Sequence, residues 1–236
     1  MKPLVIFVHI PKTAGSSLNR VLSDWQSGVA HAEGFWSDRN QLAEKARHSS
    51  WISGHIPMPR FIAGLRDVSR RPFQLVTIVR DPSQQIASHY NWLIEIFHRG
   101  RAFYEGHPES IKLISERIRA TRNDRPQEII AQLSAASGLF LNQQCRVAIG
   151  ADVTGWSAAQ IRRGLVAYDL AGTEEQFDQI VQLVTARQPS SVVRENASRY
   201  HFDPTVFRTP ELVEFLKNEN AGDIALYEAM RLDREA

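Results

Sequence analysis

One cysteine, Cys145, stands in a chain of 236 residues. No intrachain disulfide can form, and nothing asks for an oxidising compartment. A lone thiol of this kind reads first as a small buried apolar side chain. No stretch approaches the roughly 18 continuous apolar residues of a membrane span. The apolar run nearest the start, Leu4–Val8, ends in His9-Ile10-Pro11 and lacks the small residues of a secretory cleavage site. The expectation is a cytosolic protein. Excess charge is missing too, since 28 basic residues against 26 acidic ones leave +2. That balance argues against a nucleic-acid coat, so any anion site must be local. Repeats, low-complexity tracts and Gly/Ser linkers are absent, and no His/Cys/Asp cluster has metal-ligand spacing. The hydrophobic share of 43% and charged share of 23% are those of a globular chain. At about 150 residues per domain, the length allows one large domain or two small ones.

What is present is an alternation of strands and helices. Leu4–Val8 is uniformly apolar, as expected of a parallel strand covered on both faces. Gly15-Ser16-Ser17 follows, then Leu18, Val21, Leu22 and Trp25 at helical spacing. A second unit begins with the strand Phe73–Val79. Asp81-Pro82 supplies an N-cap and a first-turn proline, and Ile86, Tyr90, Leu93, Ile94 and Phe97 form the apolar stripe of the helix after it. Trp51–His55 reads as a short strand running into a turn. Residues 99–125 read as an exposed, charge-rich helical insertion carrying Ile111, Ile114 and Ile118, and residues 126–141 as helical. Val166–Gly172 reads as a third core strand and Glu174–Arg187 as its helix, with Phe177, Ile180, Val181 and Val184 on one face. Ser191–Val193 is a candidate fourth strand, and the tail from Pro210 is helical with a break near Asn220–Gly222. Alternation of this kind predicts an α/β fold with a parallel sheet and ligands at the carboxyl ends of strands.

The turn His9-Ile10-Pro11-Lys12-Thr13-Ala14-Gly15-Ser16-Ser17 joins a buried strand to a helix N-terminus. Such a turn points backbone N–H groups and the positive helix end at one spot. Gly15 permits close approach, Thr13, Ser16 and Ser17 add hydroxyls, and Lys12 adds a charge. This is an oxyanion cradle. It is not the NTPase pattern G-x-x-x-x-G-K-[ST], because Pro11 and Ile6 stand where the glycines would be. A second turn, Arg80-Asp81-Pro82, closes the Phe73–Val79 strand, and Ser88 follows about 9 Å along the next helix at roughly 1.5 Å per residue. Arg80 and Ser88 can therefore grip one further phosphate. An Mg-dependent phosphotransferase usually carries an acidic metal anchor near this sheet edge, where arginine instead favours an anion directly.

Together these two turns resemble the 5′-phosphosulfate and 3′-phosphate loops of sulfotransferases that use 3′-phosphoadenosine-5′-phosphosulfate (PAPS). The resemblance is to the branch containing heparan sulfate 2-O-sulfotransferase and its bacterial relatives. Gly54-His55-Ile56-Pro57, Leu141-Asn142-Gln143-Gln144, Gly172-Thr173-Glu174 through Phe177-Asp178, and Asn220, Asp223, Leu226 and Tyr227 resemble further elements of that branch, in order from residue 4 to about 230. The resemblance implies one sulfotransferase domain over residues 1–236, with a P-loop-NTPase-like central parallel sheet flanked by helices and a helical insertion at about 99–135. It implies in-line transfer of a sulfuryl group to an acceptor hydroxyl, with release of 3′,5′-adenosine bisphosphate (PAP) and no metal. Lys12 would stabilise the bridging oxygen, residues Pro11–Ser17 would hold the 5′-phosphate, and Arg80 with Ser88 the 3′-phosphate. Arg194 and Asn196 would close over the nucleotide.

The base must titrate near neutral pH, which makes histidine the default. His55 matches the family's position, while His9, at the strand end, and His89 are weaker candidates. Ser53 departs from the branch, where the heparan sulfate enzyme has a second histidine, so its acceptor does not carry over. A sugar, a lipid or a small metabolite remains open as acceptor. Arg117, Arg119, Arg122 and Arg125 read as a solvated face before an acceptor path, and Trp36, Trp51 and Trp92 as core before stacking platforms. Two other function classes stay in play: an Mg-dependent small-molecule kinase, and a nucleotide-binding regulatory module without turnover.

Overall fold

The computed structural model describes residues 2–187 and 199–232. Among the described residues, five strands form one all-parallel sheet: β1 (Leu4–Val8), β2 (Gly28–Val29), β3 (Trp51–Gly54), β4 (Phe73–Val79) and β5 (Leu170–Thr173), in the order β2-β3-β1-β4-β5. The central strand is uniformly apolar because it is buried on both faces. Leu4, Ile6 and Val8 point into one core with Ile52, Phe61, Leu65 and Leu75. Val5 and Phe7 point into the other with Leu18, Leu22, Val76 and Ile78.

Helix α1 (Gly15–Trp25) covers the second face, α2 (Arg39–His48) and α3 (Met58–Val68) the first. Helix α4 (Pro82–His98) follows β4. It begins where expected: Asp81 accepts a hydrogen bond from the Gln84 amide at 2.9 Å, and Pro82 sits in the first turn. Residues 99–125 are not one exposed helix but two, α5 (Arg101–Glu105), which buries no residue fully, and α6 (Glu109–Arg119), while the expected helical stretch 126–141 opens with α7 (Pro126–Ala135). Ile118 and Ser115 are fully buried, because α6 lies along α4 and the Ser115 hydroxyl donates to the Leu93 carbonyl. Short helices α8 (Ser137–Phe140), α9 (Gln143–Ala148) and α10 (Ala158–Leu165) lead to β5.

Two expectations shift here. The third core strand is Leu170–Thr173, while Val166 is 83% exposed in the turn before it. Its apolar side chain mimicked a strand, but the Tyr168 amide folds back on the Leu165 carbonyl. The following helix begins after a 3₁₀ turn at Glu174–Gln176, and α11 spans Phe177–Thr185 with the expected buried face. The described residues close with α12 (Pro210–Glu219) and α13 (Ala221–Leu232), broken at Asn220. Ser191–Val193, Arg194 and Asn196 lie outside the described residues. Among the described residues no helix is long and apolar enough to cross a membrane.

Candidate functional site

The sheet order decides which turns meet. β1 lies between β3 and β4, with Val8 level with Gly54 on one side and Thr77 on the other. The residues that follow all three strands therefore emerge at the same carboxyl edge: Lys12 in the middle, His55 on one flank and Arg80 on the other. β5 adds Glu174 beyond Arg80, since Thr173 is level with Val79. The crossover from β1 leads towards β2 and that from β4 towards β5, opposite directions at the β1/β4 boundary, the arrangement that opens a crevice at a strand end. That crevice encloses about 240 Å³ and is walled by His9, Lys12, Ala14, Gly15, Ser16, Ser17, Arg80, Ser88, Glu174 and Phe177.

The first loop is locally strained. Lys12 and Ala14 both take left-handed backbone, at φ 68° and 65°. This is uncommon for residues with a Cβ, and it is the kind of local geometry from which anion-binding nests are built. Ala14 precedes α1 and gives it no side-chain cap, and Gly15, Ser16 and Ser17 of the uncapped first turn line the crevice. Gly15 is required by packing, since a Cβ there would sit 1.9 Å from the His9 ring. Thr13 is a correction. It is fully buried, and its hydroxyl donates to the Ile10 carbonyl at 2.9 Å, so it braces the loop from beneath and leaves Ser16 and Ser17 as the hydroxyls of the cradle. The Pro11 carbonyl accepts from the Gln85 side chain on α4 at 3.0 Å, tying this loop to the next.

Lys12 has its ammonium pushed down to about 8, first by burial and then by the neighbouring charges of Arg99 and Arg80. Across the crevice, Arg80 Nε lies 2.7 Å from a Glu174 oxygen, a close ion pair without hydrogen-bond alignment. Ser88 is buried and lines the same crevice. Tyr200, which no sequence pattern singled out, lies near enough for Arg80 and Ser88 to oppose the upward push of burial on its phenol.

Arg80 is positioned from behind by two of the scattered sequence elements. Gln144 accepts from the Arg80 amide at 2.9 Å and donates to the Arg80 carbonyl at 3.0 Å. Its own amide and that of Cys145 donate to the buried Asp223 carboxylate at 3.1 and 2.8 Å. The Asn142 side chain accepts from the Gly222 and Asp223 amides and donates to Asp152, while Asn220 accepts from the Asn142 amide. Burial pushes the Asp223 carboxyl up to about 6. A raised carboxyl pKa means the native state holds the proton longer than the unfolded chain. The stability it contributes is complete below the unfolded pKa near 4 and is lost as pH rises through about 6. Asp223→Asn, neutral at every pH, should therefore cost more relative to wild type at pH 4.5 than at pH 7, on top of about 1–3 kcal/mol for the mismatched amide. Urea unfolding at the two pH values checks this, and a pH-independent difference would remove Asp223 from the account.

On the other flank, His55 stands at the end of β3 with Nε2 in hydrogen-bond reach of a second ring and Nδ1 facing a carboxylate beyond hydrogen-bond distance. Its Nε2 lies 3.1 Å from His9 Nδ1, and its Nδ1 lies 3.6 Å from Glu33. His9 rather than His55 walls the crevice. Burial lowers both imidazoles, His9 the further, with Glu33 opposing the shift at His55. Ser53 is fully buried and donates to Asn19 of α1, which explains its place without a second histidine. His89 packs on Phe140 and Trp92 in the α4 core and is pushed down to about 3 by burial.

The remaining candidates do not line the crevice. Cys145 is buried, its thiol pushed up to about 12 by burial. Trp51 is core and donates to the Gln26 carbonyl, while Trp36 packs edge-on against Phe61. Trp92 is half-buried against the α4 core. Arg122 pairs with Glu128, and Arg119 lies 3.7 Å above the Phe97 ring. Arg117 and Arg125 are exposed. Compared with known proteins, the chain matches no family model and no curated protein.

Proposed function

We propose that the protein is a PAPS-dependent O-sulfotransferase on a P-loop-like scaffold, of the branch that includes heparan sulfate 2-O-sulfotransferase and its bacterial relatives. One observation carries the reading. Two cationic grips from adjacent parallel strands, Lys12 with Ser16 and Ser17, and Arg80 with Ser88, wall a single crevice. A polyanion with phosphates at both ends satisfies both, whereas a plain adenosine monophosphate satisfies one.

The crevice fits such a group chemically. Lys12 is crowded by burial and by like charges, so it gains from an anion. The uncapped α1 terminus offers backbone donors at the point where Gly15 keeps the wall thin. In the proposed reaction an acceptor oxygen bonds to sulfur while the sulfur–bridging-oxygen bond breaks. Negative charge then moves onto the leaving nucleotide, where Lys12 stabilises it. The acceptor's proton passes to the His55–His9 pair. Arg80 and Ser88 hold the 3′-phosphate that distinguishes this donor. The acceptor is a hydroxyl-bearing sugar, lipid or small metabolite. The cytosol is the proposed setting, since the one thiol is buried and asks for no oxidation.

The kinase alternative draws on Glu174, an acidic side chain at a strand end within the crevice. Its carboxylate is paired with Arg80, which makes it a counter-ion before a metal ligand. Thermal shift decides between them. PAP at about 100-fold above its Kd should raise Tm by about 5 °C or more, with 5′-AMP well behind. Equal or greater stabilisation by ATP–Mg would overturn the assignment in favour of the kinase.

A further inference from the structure

The third side chain of the imidazole pair carries no motif. Glu33 lies between β2 and α2, and it meets His55 only through the fold. One of its oxygens accepts the His55 backbone N–H at 3.0 Å, and the other lies 3.6 Å from His55 Nδ1 and 3.3 Å from His31 Nδ1. Gly54 makes this approach possible, since a Cβ there would come within 2.8 Å of the same carboxylate. The Gly-His pair at the end of β3 thus has a physical reason: the glycine admits the acid that faces the histidine.

We propose, resting on the transferase reading above, that Glu33 is the positioning residue of a two-imidazole relay in which His9 faces the crevice and His55 stands behind it. A carboxylate can only accept, so Glu33 favours the proton on His55 Nδ1. That leaves the lone pair on His55 Nε2, which takes the hydrogen bond from His9 Nδ1–H at 3.1 Å. The opposite edge of the His9 ring, Cδ2 and Nε2, lies against Gly15 of the phosphate loop, and His9 walls the crevice. A hydroxyl proton taken by His9 Nε2 is balanced by transfer of the His9 Nδ1 proton to His55 Nε2. The positive charge so formed rests on His55, beside Glu33. Of the other titratable groups facing the pair, His31 opposes protonation of both rings and Lys12 that of His9. Glu33 is the group that offsets them.

The test is nitrogen-15 NMR of the full chain with and without PAP, comparing wild type with Glu33→Gln. The amide keeps the shape and can still accept the His55 backbone N–H, so a purely structural Glu33 predicts no change. The relay predicts that wild-type His55 is protonated at Nδ1 and unprotonated at Nε2. In Glu33→Gln this preference should be lost and the His55 titration midpoint should fall by roughly one pH unit. An Nε2–H tautomer for wild-type His55, or tautomer and midpoint both unchanged in the variant, would overturn the proposal. Absence of a PAP-induced shift in either protein speaks against the donor assignment alone, because the tautomer is read without it.

Discussion

Replacing Lys12 by methionine should lower transfer of labelled sulfuryl group from PAPS by about 10²–10³-fold, the scale of losing one preorganised charge at a developing anion. Methionine keeps the unbranched side chain to within one atom of its length and inherits the same left-handed backbone, so the fold should persist. The pH behaviour gives a second signature. Lys12 is pushed below its ordinary value, to about 8, by burial and by Arg99 and Arg80. A lysine depressed in this way costs stability as pH falls from about 10 towards 8, because the unfolded chain takes up the proton first. A polyanion in the crevice reverses the sign, raising the lysine pKa and drawing a proton onto it. Calorimetric titration with PAP near pH 8.5, in buffers of different ionisation enthalpy, should show proton uptake that disappears in Lys12→Met. Undiminished turnover, or binding with no uptake, would take Lys12 out of the mechanism. His55→Ala separates an enzyme from a regulatory module: PAP affinity should stay near normal while turnover is lost.

Arg80→Ala should erase the preference for PAP over 5′-AMP by about 10- to 100-fold, equivalent to one charge-assisted contact of about 1.5–3 kcal/mol. AMP affinity itself should move little, because the first grip is untouched. Arg80→Lys should fall between, since it keeps the charge but not the guanidinium fork. Glu174→Gln should act in the opposite direction. With Arg80 Nε 2.7 Å from its carboxylate, Glu174 competes with an incoming phosphate, so its neutralisation should tighten PAP. Competition binding with PAP and AMP reads all three variants. Equal loss of both ligands in Arg80→Ala would mean that the arginine supports the fold and not the 3′-phosphate.

Much of the architecture was legible in the chain itself. Leu4–Val8 and Phe73–Val79 are strands over the expected residues, and Asp81 with Pro82 starts α4, because short-range periodicity and capping chemistry set these features. The apolar face of Phe177, Ile180, Val181 and Val184 is buried as its spacing required. Val166 misled for the same local reason: a β-branched residue beside a strand looks like part of it until the turn at Tyr168 exposes it. The helices after α4 read as exposed because their charges outnumber their isoleucines, yet those isoleucines are enough to dock α6 on α4.

The candidate site divides along the same line. Lys12, Ser16, Ser17, Arg80 and Ser88 could be named from two turns, each complete within a dozen or so residues. Thr13 looked equivalent to its neighbours until its hydroxyl was found on the Ile10 carbonyl beneath the loop. Glu33 is 22 residues from His55, Gln144 is 64 from Arg80, and Asp223 is 79 from Gln144. Glu33 carries no motif, and although Gln144 and Asp223 lie in elements that carry the resemblance, nothing local marks what they pair with, because their pairing is set by the packing of distant elements.

What the amino-acid order alone determined, then, was a pair of strand-ending cation loops and the elements that carry them. Only the three-dimensional arrangement decided that β3, β1 and β4 lie side by side, so that both loops share one crevice and a histidine pair flanks it. The reason is physical: a turn is shaped by its own backbone and nearest side chains, whereas strand order is decided by which apolar faces the whole chain can bury at once.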